Sequence, residues 1–134
     1  MNENMSPVDW AKRPIEKYAD FTGRAPRAEY WWFVLFVTIG EIVAMIFDSI
    51  LGTGGPYGLI FCLCVLALIV PQIAVGARRL HDTDRSGWWL LISFVPLIGT
   101  IVLLVFFATE GTAGQNNYGP NPYGSGAAGA VAAQ

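Results

Sequence analysis

Three apolar stretches dictate what this chain can fold into. Residues 30–51, 57–77 and 88–108 contain no lysine or arginine, and Glu41 and Asp48 are their only acids. About 20 helical residues cross the ~30 Å hydrocarbon core of a bilayer, and each stretch holds about 21. Lipid offers no water to the backbone, so a spanning stretch must satisfy its own hydrogen bonds as a helix. The expected fold is all-α: an integral membrane protein with three transmembrane helices. A short interfacial segment, residues 1–29, precedes them, and a flexible Gly/Asn/Pro/Ala-rich tail, residues 109–134, follows.

Composition agrees. Only 13% of residues are charged, against about a quarter in a soluble domain. The net charge of −2 gives no reason to expect nucleic acid as a partner. Cys62 and Cys64 lie two apart on one expected helix, so they point to different sides and read as small packing residues. The first 29 residues hold no apolar core of signal-peptide length, so the first span is expected to direct insertion.

Punctuation divides the spans. Residues 52–56, Gly-Thr-Gly-Gly-Pro, form a breaker between antiparallel helices. Pro71 falls inside the second span, and Pro96 and Gly99 are expected to bend the third. In residues 7–21, Pro14 argues against a continuous helix. Residues 1–6 and the last ten residues read as mobile, and residues 111–124 as consecutive turns.

The basic residues set an expected orientation. All eight precede span one (Lys12, Arg13, Lys17, Arg24, Arg27) or lie between spans two and three (Arg78, Arg79, Arg85). The positive-inside rule places both segments in the cytoplasm. Three crossings then leave the tail on the periplasmic or extracellular side.

Two motifs flank the spans. Residues 21–33 carry Arg24, Arg27, Glu29 and Trp31; residues 77–89 carry Arg78, Arg79, His81, Asp82, Arg85 and Trp88. Arginines beside tryptophans at an interface suit lipid headgroups or a partner, and they equally suit an orientation signal with an aromatic anchor. The hairpin between spans one and two returns the chain to its starting side, so the two motifs are expected to meet. Glu29 or Asp82 would then pair with an arginine of the other segment, as an exposed pair worth about 0–1 kcal/mol. His81, Asp82 and Asp84 are too few for a convincing metal site, and Asp84 or Ser86 could instead cap the third span. No catalytic constellation, cofactor motif or metal set is recognised.

The polar residues inside the spans form a second candidate site: Thr38, Glu41, Asp48, Gln72 and Ser93. Glu41 lies mid-span and has no cation at its depth, which favours its protonated form. Pro71 leaves the Ala67 carbonyl without its helical donor. Glu41 is therefore expected to face span two and donate near Ala67. Asp48, nearer the outer interface, is expected to be wet.

The two flanking motifs, with Thr109-Glu110-Gly111-Thr112 and Tyr118-Gly119-Pro120 in the tail, resemble the domain of unknown function 805 family, the YhaH-like bacterial inner-membrane proteins. The resemblance runs from about Val8 to Pro122. It implies a multi-pass protein of the bacterial inner membrane and supplies no activity. Asn117 stands where the family pattern implies a basic residue, and Asn121 where it implies Asp. The function read from these features is non-enzymatic: packing against lipid, a second copy or a membrane partner. The alternative is a small oligomeric transporter or channel using Thr38, Glu41 and Asp48, and a membrane enzyme using His81 and Asp82 is a weaker third.

Overall fold

The computed structural model describes residues 5–122. The expected mobility of residues 1–4 and 125–134 lies outside that range. Among the described residues the regular elements are helices, beside an isolated β-bridge between Asn116 and Gly119. The four α-helices are α1 (Pro7–Glu16), α2 (Arg27–Leu51), α3 (Leu59–Asp82) and α4 (Ile98–Ala108), with 3-10 turns at Gly55–Tyr57 and Gly87–Phe94.

Order begins earlier than the sequence suggests. The Ser6 hydroxyl accepts from the Asp9 amide at 3.2 Å, and the Asp9 carboxylate accepts from the Ser6 amide at 3.4 Å. This capping box starts α1. The helix continues through Pro14, against expectation. Pro14 is two residues from the end and buried with Trp10, so the bond it forfeits belongs to the fraying last turn.

α2 and α3 are the long elements. Their 25 and 24 residues give lengths of about 37 and 36 Å, enough for a ~30 Å core. Their outer surfaces carry exposed Leu35, Ile39, Ile46, Leu63 and Leu66, apolar side chains that belong in lipid. Gly52 ends α2 in the left-handed conformation, as a glycine C-cap should.

The third apolar stretch departs from expectation. Gly87–Phe94 is a 3-10 segment, and α4 begins only at Ile98. Between them Leu97 adopts φ 66° and ψ −61°, and the Ile98 amide donates to the Pro96 carbonyl at 2.7 Å. That is a γ-turn, and it reverses the chain. The two arms then lie side by side. Trp89 packs edge-on to Phe106 at 5.4 Å, and a Cβ on Gly99 would overlap the Ile92 carbonyl. Eight 3-10 residues and eleven α residues each rise about 16 Å, half a hydrocarbon core. Pro96 and Gly99 therefore mark a reversal rather than a bend in one helix.

Both ends of this hairpin sit at the α2 start and α3 end. The Arg79 guanidinium donates to the Phe107 carbonyl at 2.9 Å, and the Thr112 amide to the Asp82 carbonyl at 2.8 Å. Two corrections follow. Residues 88–108 do not form a single third helix, and the described tail, residues 109–122, packs at the same end as the two arginine motifs rather than the opposite one.

Candidate functional site

At that shared end three segments converge: residues 20–29, the α3 terminus with its following loop, and residues 109–121. The sequence placed the first two together, and the Ala25 amide does donate to the Arg78 carbonyl at 2.9 Å. It did not place the tail there. Nor did it foresee the burial: Arg24, Glu29, Arg78, Arg79 and Asp82 are all buried.

Each buried carboxylate at this end meets two guanidinium groups. Asp82 accepts from Arg24 Nε at 2.9 Å through Oδ1 and from Arg79 Nη1 at 2.6 Å through Oδ2. Glu29 pairs with Arg78 through Oε2 and with Arg13 at 3.4 Å through Oε1. Buried charges persist only when paired and hydrogen-bonded, and losing one partner of such a pair costs about 3–5 kcal/mol.

Backbone carbonyls take up the remaining guanidinium protons. Arg24 donates to the carbonyls of Thr112 at 2.5 Å, Gly114 at 2.7 Å and Gly119 at 3.2 Å. Arg79 reaches Ala25 at 3.3 Å and also Thr109. Trp31 Nε1 donates to the Phe107 carbonyl at 3.2 Å, and Arg27 to that of Ala108 at 3.4 Å. The last carbonyls of a helix lack intrahelical partners and carry the negative end of its dipole. Arg27, Trp31 and Arg79 thus cap α4 from two other helices. Arg78 Nε donates to the Asp20 carbonyl at 3.1 Å, while its Nη2 is buried without a hydrogen-bond partner. The Asp20 carboxylate accepts from the Thr22 hydroxyl at 2.6 Å and its amide at 2.9 Å, which holds the carboxyl below its usual range.

His81 and Asp84 both contact the tail. His81 Nδ1 bonds the Gly23 carbonyl at 2.9 Å, and its ring stacks on Tyr118 with centroids 4.0 Å apart. Asp84 accepts from the Asn117 amide at 3.0 Å and its Nδ2 at 3.3 Å. A basic residue at 117 would meet the same carboxylate as an ion pair, so Asn117 keeps the contact without the charge. Asn121 Nδ2 donates to the carbonyls of Ala113 at 2.8 Å and Thr112 at 3.3 Å, bonds an ionised Asp could not make. Gly111 sits against the Asp82 carboxylate, where a Cβ would overlap it. Among the described residues, no three His, Cys, Asp or Glu side chains converge as metal ligands would. Arg85 lies over the Phe106 ring at 4.0 Å, Trp88 is exposed, and Ser86 caps the 3-10 segment by accepting from the Trp88 amide at 3.2 Å.

The polar residues in the spans fall into separate places. Thr38, Glu41 and Gln72 line one cavity of about 70 Å³, so Glu41 does lean toward α3. The Ala67 carbonyl, its expected partner, accepts from the Tyr18 hydroxyl. Gln72 and Ser93 line a larger cavity of about 420 Å³ between α3 and the hairpin. Asp48 is not wet but fully buried. It accepts from the amides of Ile60 at 3.0 Å and Phe61 at 2.8 Å and from the Thr53 hydroxyl. It therefore caps α3 from the preceding helix.

Apolar helices of spanning length, a sealed ionic end and a short apolar hairpin define a helical membrane protein. The comparisons agree. The model of a family described as "Protein of unknown function (DUF805)" matches residues 18–120, so the chain belongs to that family. The inner membrane protein YhaI of Escherichia coli (strain K12) is 48% identical over 115 residues, covering 86% of this chain and 96% of that protein. Its inner membrane protein YhaH is 40% identical over 117 residues, covering 86% and 97%. The uncharacterized protein YiiR of the same strain is 29% identical, covering 74% and 83%. No solved structure matches.

Proposed function

We propose that this is a non-enzymatic protein of the bacterial inner membrane that works by packing against lipid or a membrane partner, with two spans, a re-entrant hairpin, and both described ends of the chain cytoplasmic. One observation carries the reading: Arg24, Glu29, Arg78, Arg79 and Asp82 of the two motifs are consumed inside the fold. Asp82 and Glu29 face guanidinium groups, and Arg24 and Arg79 face carbonyls. A reacting group must be within reach of a substrate, and these are turned inward. What remains toward the membrane is apolar surface on α2, α3 and the hairpin.

The same geometry supports the orientation. Arg13, Arg24, Arg27, Arg78, Arg79 and Arg85 fall at the end where residues 20–29, 78–85 and 109–122 meet, and the positive-inside rule assigns that end to the cytoplasm. The hairpin tip, with Phe94 and Leu97 exposed, has the depth and apolarity of a re-entrant element. The channel alternative loses support, because Asp48 caps a helix, which leaves of its stripe only Thr38 and Glu41, on a cavity of about 70 Å³.

The test uses photo-crosslinking side chains in native membranes. At lipid-facing positions 42 and 66, defined lipid or protein adducts are expected, and at buried position 74 none. A reporter fused after residue 134 should work only if it stays in the cytoplasm. Ion flux in liposomes abolished by Glu41→Gln, or a C-terminal reporter active only after export, would overturn the reading.

A further inference from the structure

Two cavities between α3 and the hairpin share Ile73 and Leu90, so they form one groove. Its deep part, about 420 Å³, is lined by Ile69, Leu91 and Phe94 with Gln72 and Ser93; its shallow part, about 390 Å³, by Phe21, Ala77, His81, Ser86 and Trp88. From Ile69 to His81 the helix rises about 18 Å. That is close to one leaflet, about half of a ~30 Å core. The groove is therefore apolar at mid-membrane depth and polar at the charged end, which is the shape of one lipid.

The polar end is built. His81 is only 8% exposed. A carbonyl oxygen can only accept, so the bond to Gly23 puts a proton on Nδ1. In the neutral ring, Nε2 is then a bare acceptor. Among the described residues Nε2 has no hydrogen-bond partner, and it lies beside Gly87, where a Cβ would stand 3.6 Å from it. The Ser86 oxygen accepts from the Trp88 amide, which leaves its own proton to donate outward. Trp88, 78% exposed, stands at the mouth, where an indole face attracts cations. One acceptor, one donor and an aromatic face together complement a headgroup that joins an N–H ammonium to a phosphate.

We propose that this groove holds one phosphatidylethanolamine molecule, its ammonium donating to His81 Nε2, its phosphate accepting from Ser86, and an acyl chain along Ile73 and Ile69. The inference rests on the lipid-packing reading above and narrows it to one site and one headgroup. Choline lacks an N–H, and a glycerol headgroup lacks the cation for Trp88, so neither satisfies the full set.

The test is native mass spectrometry of the full chain released from vesicles containing equal amounts of phosphatidylethanolamine, phosphatidylglycerol and phosphatidylcholine. The wild type should retain one phosphatidylethanolamine with about tenfold preference, the scale of one hydrogen bond to a charged group. His81→Asn keeps a donor for Gly23 but removes the Nε2 acceptor, and should abolish the preference. Ile73→Trp fills the groove from its lipid-exposed side and should abolish retention, which preserves the test if His81→Asn fails to fold. Equal retention of all three lipids, or unchanged preference in a folded His81→Asn or Ile73→Trp protein, would overturn the assignment. Retention of a different lipid would refute the headgroup while leaving the broader packing reading standing.

Discussion

The two ends of the α2–α3 pair solve the same problem by different means. At one end Asp48 buries its carboxylate against two backbone amides and a hydroxyl. At the other, Asp82 buries its carboxylate against two arginines. The Asp48 end joins two segments adjacent in sequence, where a helix start already offers unpaired amides. The Asp82 end joins three segments up to 95 residues apart, as in Arg24 and Gly119. No regular element supplies donors across such gaps, and guanidinium forks do. The comparison teaches that the ionic end fixes tertiary arrangement, while the other end fixes only a turn.

Removing charge should break the comparison most visibly at Asp82. Asp82→Ala leaves Arg24 and Arg79 buried without their carboxylate, at a cost of about 3–5 kcal/mol. The expected outcome is loss of the monodisperse folded species in detergent, measured by size-exclusion chromatography and thermal unfolding. Asp82→Asn should rescue little, because the deficit is charge. A protein with wild-type stability after either change would show that the cluster does not hold the three segments.

Asp48 should respond less and in a different pattern. Asp48→Ala removes the cap of α3 and should cost about 1–2 kcal/mol, while Asp48→Asn keeps an accepting oxygen and should recover most of it. Unfolding midpoints of the two variants decide the matter. Equal losses for Ala and Asn would mean that charge counts at this end too.

Much of this was legible in the sequence. Apolar length gave α2 and α3, and the hairpin at residues 52–56 brought the Arg24 and Arg78 motifs to one end. The third apolar stretch misled because hydropathy measures only partition into lipid. A 21-residue helix and two half-length arms satisfy it equally. The signals were Pro96, which lacks an amide, and Gly99, which lets the arms touch. The tail's role was hidden for another reason. Its polar contacts to Arg24 and Arg79 are mostly backbone carbonyls, which every residue possesses, so no side-chain pattern announces them. Asp48 caps α3 from the preceding helix, 12 and 13 residues before the amides it serves, so no pattern at the α3 start announces it.

A third comparison lies at mid-depth, between Tyr18 and Glu41. Tyr18 serves the carbonyl that Pro71 leaves open in α3. Tyr18→Phe removes that donor alone and should lower stability by about 0.5–1.5 kcal/mol. Hydrogen exchange should rise locally around Ala67, and unchanged protection there would remove the bond from the account.

Glu41 should matter least, which reverses the expectation drawn from its position. Its side chain is half-buried and lines a cavity of about 70 Å³ with Thr38 and Gln72, both exposed to the membrane side. The acceptor that would have fixed it, the Ala67 carbonyl, already receives the Tyr18 hydroxyl. A carboxyl without a committed partner gains little from its polarity, and a similarly sized apolar side chain avoids the cost of placing an acid in lipid. Glu41→Leu and Glu41→Gln should therefore both leave the unfolding midpoint within about 0.5 kcal/mol of wild type. A loss above about 2 kcal/mol for Leu, with Gln unaffected, would reinstate a hydrogen-bonded Glu41 as a packing determinant between α2 and α3.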